Sequence, residues 1–154
     1  MMKHIADLLA EHPFFADLEA AHRDVIAGCG RNVTFKPGEP LTREGAAANE
    51  FFAIRRGKVS IGIHVPQIGD TVIETLGDSD IVGWSWLFPP YRTHFDAYAI
   101  VATQAVAFDG ACLRTKFEND PVLGYQLFKR FAAVMMDRMQ AARLQLLDMY
   151  GNRG

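Results

Sequence analysis

Five glycines, at positions 38, 45, 57, 69 and 77, fall between short runs that alternate apolar and polar residues. Turns need residues tolerant of positive φ, and glycines spaced in this way join many short strands. The pattern predicts an antiparallel barrel or jelly roll over residues 31–109. Val33 and Phe35 alternate with polar neighbours before the turn KPGEP. In VSIGIHV, Val59, Ile61, Ile63 and Val65 fall on one side and Ser60, Gly62 and His64 on the other, the mark of a half-buried strand. The run AYAIVATQAVAF closes the region with a long β-rich stretch.

The period changes on both sides. In residues 1–30, Ile5, Leu8 and Leu9 share a helical face and Pro13 breaks the run. A second helix is expected through Leu18, Val25 and Ile26, with Gly28 and Gly30 as its stop. In residues 110–150, Asp120 can cap and Pro121 can open a helix that runs to about Tyr150. Phe128, Phe131, Met135, Met139, Ala142, Leu146 and Met149 follow at steps of three or four and form one stripe. A helix of about thirty residues is about 45 Å long, further than a small barrel covers. The stripe is therefore expected to meet a second copy of itself, with Phe128, Phe131, Met135, Met139, Ala142 and Leu146 at a homodimer interface. The alternative is a helix folded back on its own barrel. The expected chain is one domain, residues 1–154, mainly β with flanking helices, and large enough to bury a core without a covalent staple.

Charge and composition narrow the function classes. A net charge of -2 gives no general attraction to nucleic acid or anionic membranes. The start, MMKHIADLLAEHPFF, is interrupted by Asp7 and Glu11 and lacks the apolar run of a secretory signal, and no segment has the length of a membrane span. Cys29 and Cys112 lie far apart with no CxxC spacing, which predicts two reduced, buried thiols in a cytoplasmic protein. Of the five histidines only His64 and His94 lie in the β-region, and neither has an HxH partner or a nearby Glu, so no metal site of the cupin kind is expected. No glycine-flanked nucleophile, P-loop or dinucleotide fingerprint is present, and Asp96 and Glu74 stand as single carboxylates expected in turns or at the surface. The expectation is a protein that is not an enzyme and needs no resident cofactor.

The segment GWSWLFPPYRT, residues 83–93, concentrates the unusual chemistry: both tryptophans, a Pro-Pro pair and an Arg-Thr pair. Gly83 lets the chain approach a ligand closely, residues 84–86 offer backbone N–H groups, and Arg92 with the Thr93 hydroxyl suits an oxyanion. The helix–roll–helix order, the runs HPFFADLEAAHRDVIA and FKPGEPLTREGAAANEFFAIRRGKVSIGI, and LGDSDIVGWSWL together resemble the cyclic-nucleotide-binding domain of the bacterial catabolite-activator-like regulators over nearly the whole chain. The resemblance implies a double-stranded β-helix (jelly-roll) sensor module, dimeric through its long helix, with a phosphate-binding cassette at LGDSDIVGWSWL and a phosphate pair at Arg92-Thr93. The chain stops at DMYGNRG, so no DNA-reading domain is expected after the long helix.

Two departures from that family stand out. The family places a Glu directly after the cassette glycine to accept hydrogen bonds from the ribose; here the position is Trp84, whose only polar group is a donor. A charge-assisted bond of that class is worth roughly 1.5–3 kcal/mol, about ten- to a hundredfold in affinity. From Arg92 to Ala99 the run RTHFDAYA is also one residue longer than the family pattern, which either shifts Arg92 out of register or is absorbed by a bulge. Gly83, Trp84, Ser85, Trp86, Arg92 and Thr93 are thus the candidate ligand residues, for a cyclic nucleotide held weakly or another anionic small molecule. The competing expectation is that Trp84, Trp86, Phe88 and Tyr91 plug the pocket and leave a ligand-free dimerisation or protein-binding module.

Overall fold

A computed structural model describes residues 4–151. Two antiparallel four-stranded sheets form the roll. The first has the order β1-β8-β3-β6 and the second β2-β7-β4-β5, with β1 Gly30–Phe35, β2 Pro40–Thr42, β3 Glu50–Arg56, β4 Val59–Val65, β5 Gly69–Leu76, β6 Ile81–Val82, β7 Asp96–Ala99 and β8 Thr103–Asp109. Helices α1 (Ile5–Glu11) and α2 (Ala20–Ala27) precede the roll, and α3 (Gly110–Asn119) and α4 (Pro121–Gly151) follow it. The architecture is the mainly β jelly roll with flanking helices that the glycine pattern predicts.

The run Phe51-Phe52-Ala53-Ile54 does not alternate, because β3 is covered on both faces. Phe51 and Ala53 face the helices with Val106 and Phe108 of β8, in a cluster that includes Leu9, Phe15, Ile26, Leu127 and Phe131. Phe52 and Ile54 face the roll interior with Val59, Ile61, Leu76, Phe95, Ala105 and Ala107. One strand therefore separates two hydrophobic cores. Gly57, at φ 142°, turns the chain after β3 where a Cβ would collide with the backbone and side chain of Thr103.

The helical ends depart from expectation in one place. Leu18 lies before α2 rather than within it, in a stretch of turns that follows Pro13, and it is buried there with Phe14 and Phe15. Ile26 is buried while Val25 is turned outward. At the other end, Asp120 accepts a hydrogen bond from the Leu123 N–H at 3.2 Å and Pro121 opens α4, as its sequence implies.

The two cysteines correct the expectation of free thiols. Cys29 and Cys112 are joined by a disulfide that links positions 83 residues apart, with Cα atoms 5.7 Å from each other. The strand pairing explains the approach: Gly30 lies opposite Phe108, so the residue before β1 meets the first turn of the helix after β8. The fold thus carries a covalent staple that composition did not call for.

Candidate functional site

The chain leaves β6 at Val82 and turns sharply at Gly83, where φ is 97°, a conformation open to glycine. A single 3-10 turn, Ser85–Leu87, follows, and its first internal bond runs from the Leu87 N–H to the Trp84 carbonyl. The amides of residues 84–86 precede that bond, as the amides at the start of any helical turn do. Ser85 is buried and its hydroxyl has no hydrogen-bond partner among the described residues. A polar ligand atom at this corner would satisfy it.

The two tryptophans have separate fates. Trp86 is fully buried in the helix-side core, stacked on Phe51 (5.1 Å, 17° between planes) and edge-on to Phe131 at 5.6 Å. The Trp86 side chain is therefore a packing group, and only its backbone amide is left for the expected ligand contact. Trp84 is half-buried and touches both cores, with its ring 5.6 Å from Phe95 in the roll and 5.5 Å from the Arg138 guanidinium on α4. Its indole spans from the roll interior to the C-terminal helix.

Arg138 is the largest element of the site that sequence reasoning missed. Its guanidinium donates to the Ile81 carbonyl, and its Nε lies 3.6 Å from Oε1 of Glu74. Burial pushes the guanidinium below its ordinary value against the pull of Glu74 and Asp80. Burial likewise raises Glu74, opposed by Arg138 and reinforced by Asp80. Desolvation outweighs attraction on both partners, so the pair fixes geometry more than it adds stability. Glu74 is therefore not the isolated surface carboxylate its sequence setting implied. A cleft of about 430 Å³ opens beside the pair, between β5, β6 and α4, with Phe14, Ser79, Asp80, Ile81, Val134 and Asp137 among its walls.

On the other side of the cassette, Arg92 and Thr93 diverge. The segment runs antiparallel to residues 45–48, with an isolated bridge between Ala47 and Arg92 and a Thr93 N–H bond to the Ala46 carbonyl at 2.9 Å. Alternation along this extended backbone buries Thr93 and exposes Arg92, whose Nη1 reaches the Gly45 carbonyl at 3.5 Å. Thr93 lines a cleft of about 290 Å³ together with Leu41, Arg43, Ala47, Asn49 and Phe52. Arg43, not Arg92, is the cation on that cleft. Its signal in the sequence was slight, a lone Arg in TREG ahead of the Gly45 turn.

Between the turn and Thr93, Tyr91 takes a left-handed backbone (φ 56°), unusual for an aromatic residue. Its carbonyl accepts the Ala48 N–H at 2.7 Å, and its ring lies under the Arg114 guanidinium at 4.2 Å. Arg114 also donates to the Trp86 carbonyl at 2.6 Å. One arginine of α3 thus grips both ends of the loop.

The dimerisation stripe divides along α4. Phe131 is buried in its own core and Met135 leans on that core, which removes Phe131 from the expected interface. Phe128 is partly exposed, and Met139, Ala142 and Leu146 are exposed. Every residue from Met139 to Gly151 is exposed. Among the described residues no group of His, Cys, Asp and Glu gathers to hold a metal ion, and no helix is long and apolar enough to cross a membrane.

A two-sheet antiparallel roll, entered by short helices and followed by a long one, with a glycine corner beneath that helix, defines a jelly-roll domain. The sequence profile of the cyclic nucleotide-binding domain matches residues 32–120, and the chain belongs to that family. It is 25% identical over 143 residues to the CRP-like cAMP-activated global transcriptional regulator of Mycobacterium tuberculosis, covering 93% of this chain and 62% of that protein. The chain thus spans less than two thirds of the length of that relative. A cyclic nucleotide-binding domain from Methylobacillus flagellatus KT superposes with a TM-score of 0.80 at 17% identity, over 95% of this chain and 82% of that one. The catabolite activator protein of Thermus thermophilus superposes with a TM-score of 0.70 at 18% identity, over 90% of this chain and 63% of that one.

Proposed function

We propose that this chain is a non-enzymatic sensor domain in which an anionic small molecule, a cyclic nucleotide in an altered pose or a related phosphate ester, binds at the Gly83–Ser85 corner. The amides of residues 84–86 and the unpartnered Ser85 hydroxyl supply the polar contacts at the corner; Thr93 and Arg43 line the cleft at residues 40–52 together with Glu50, and Arg92 lies exposed. The observation that carries this reading is the position of Trp84, which touches the roll interior through Phe95 and α4 through Arg138. A ligand that moves the indole changes what Arg138 rests on, and so biases α4 between two packings. The mycobacterial relative is cAMP-activated by name, which makes cyclic AMP the first ligand to try.

The output is dimerisation through α4, in the cytoplasm. Met139–Gly151 continues α4 as an exposed segment that carries the distal part of the apolar stripe, and a second α4 offers the same stripe. Tryptophan emission tests the proposal, since both indoles flank the corner: cyclic AMP should change it saturably, and Trp84→Phe should remove the change while Trp86→Phe keeps it. Emission unmoved by cyclic AMP, cyclic GMP and simple phosphate esters would refute it.

A second reading keeps the dimer and discards the ligand. It is favoured by the packing of Trp84 against Phe95 inside the roll, where the indole acts as a fixed plug. The same titration separates the two readings.

A further inference from the structure

The disulfide sits next to the cassette and has no role in the sensor just described. Cys112 lies in the first turn of α3, its N–H donating to the Asp109 carboxylate at 2.9 Å. Two residues further on, Arg114 donates to the Trp86 carbonyl and stacks on Tyr91. At the start of the same helix, the Gly110 N–H bonds the Asn49 carbonyl at 2.8 Å, and a Cβ there would stand 3.0 Å from that of Trp86. Phe117, on the next turn, meets the Trp86 ring at 6.0 Å. The position of α3 therefore sets the position of residues 86–91, and Cys29 ties α3 to the junction of α2 and β1.

We propose that the Cys29–Cys112 bond is a thiol-controlled tether, and that its reduction by a dithiol loosens α3 and with it the cassette turn. Cys29 is buried, whereas Cys112 is half-buried, which makes Cys112 the side for an incoming thiolate to approach. A thiolate of the dithiol attacks the Cys112 sulfur, the S–S bond breaks, and the Cys29 sulfur leaves as a thiolate that takes up a proton. The second thiol of the reductant then attacks the mixed disulfide and releases Cys112 as its thiol. Two electrons and two protons pass to the protein, and the reductant becomes a disulfide.

Other anchors let the bond open without loss of the fold. Leu113 is fully buried, Asp109 caps α3, and the Gly110–Asn49 bond holds its start. Reduction thus frees the helix locally, as expected of sub-global opening rather than unfolding. The proposal needs no ligand in the cassette, so it stands or falls separately from the sensor reading.

Air-oxidised protein is compared with protein held in low-millimolar dithiothreitol, without denaturant, by alkylation mass spectrometry and amide hydrogen exchange. Two free thiols should appear, exchange should rise about tenfold or more in residues 84–91 and 113–119, and peptides of β3 and β8 should stay unchanged. Reoxidation should restore protection. A Cys29→Ser, Cys112→Ser double variant should show the reduced pattern without reductant; if that variant does not fold, the reduced wild-type protein still decides. A bond absent from oxidised protein, a bond that opens only in denaturant, exchange unchanged at 84–91, or exchange raised throughout the chain would each overturn the proposal.

Discussion

The guanidinium of Arg138 lies 5.5 Å from the centroid of the Trp84 indole, and Arg138 is the last residue of α4 that the roll partly buries. The C-terminal helix thus meets the Trp84 indole where cation–π contact, the Glu74 ion pair and the Ile81 carbonyl coincide, in addition to its ring contacts with Trp86 and Phe88 through Phe131 and Phe128. The geometry gives α4 a contact that responds to whatever Trp84 does.

Arg138→Ala should destabilise the domain by about 1–3 kcal/mol, between the ranges for exposed and buried pairs, because it strands Glu74 beside Asp80. Denaturant unfolding measures the loss. Trp84 emission should move to the red as the indole gains water, and Arg138→Ala with Glu74→Gln should recover part of the stability. Single and double variants of equal stability would show that the pair is not coupled.

Trp86 offers a contrast between packing and polar satisfaction. Trp86→Ala should cost about 3–5 kcal/mol, as for large aromatic truncations in a core. Trp86→Phe should cost clearly less, because it keeps a ring against Phe51 and removes the indole N–H that has no partner. Chemical denaturation of the two variants tests the order, and equal losses would mean that the ring contacts do not carry the site.

His12 makes stability depend on pH. Its Nε2–H donates to the Ile54 carbonyl and its Nδ1 accepts the Phe14 N–H, both at 3.2 Å, an arrangement that requires the neutral ring. Burial lowers its pKa below the ordinary 6.5, against the pull of the Ile54 carbonyl and Asp80. A proton therefore binds the unfolded chain more readily than the folded one. The stability from neutral His12 is complete above about pH 6.5 and is lost as pH falls through the lowered value, at no more than about 1.4 kcal/mol per pH unit. Melting curves from pH 8 to pH 5 should fall more steeply for the native protein than for His12→Asn. Parallel curves would exclude His12 as the titrating group.

The roll was legible because its turns are local: glycine at each corner and a period of two between them carry the fold without knowledge of distant contacts. The start of α4 was legible for the same reason, in Asp120-Pro121. The disulfide was not, since two cysteines 83 positions apart carry no spacing signal until β1 pairs with β8. GWSWL marked the turn at Gly83 but not the different packing of the residues within it. Trp84 and Trp86 are two residues apart, and a single 3-10 turn directs one to the site and the other to the core. Arg138 and Glu74 meet only because α4 crosses the end of β5, which no local pattern encodes.

The division of the α4 stripe sets the last expectation. Phe131 belongs to the monomer core, so Phe131→Ala should lower stability by about 3–5 kcal/mol whatever the oligomeric state. Met139 is exposed beyond the last contact with the roll, so Met139→Glu should leave the fold of each chain intact. If α4 pairs with a second α4, that charge faces its own symmetry mate across the interface and separates the chains. Sedimentation equilibrium should give a dimer for the native protein and a monomer for Met139→Glu, with the melting profile of the roll preserved. A native protein that sediments as a monomer would exclude self-association through α4, and a Met139→Glu dimer of native affinity would place Met139 outside the self-interface.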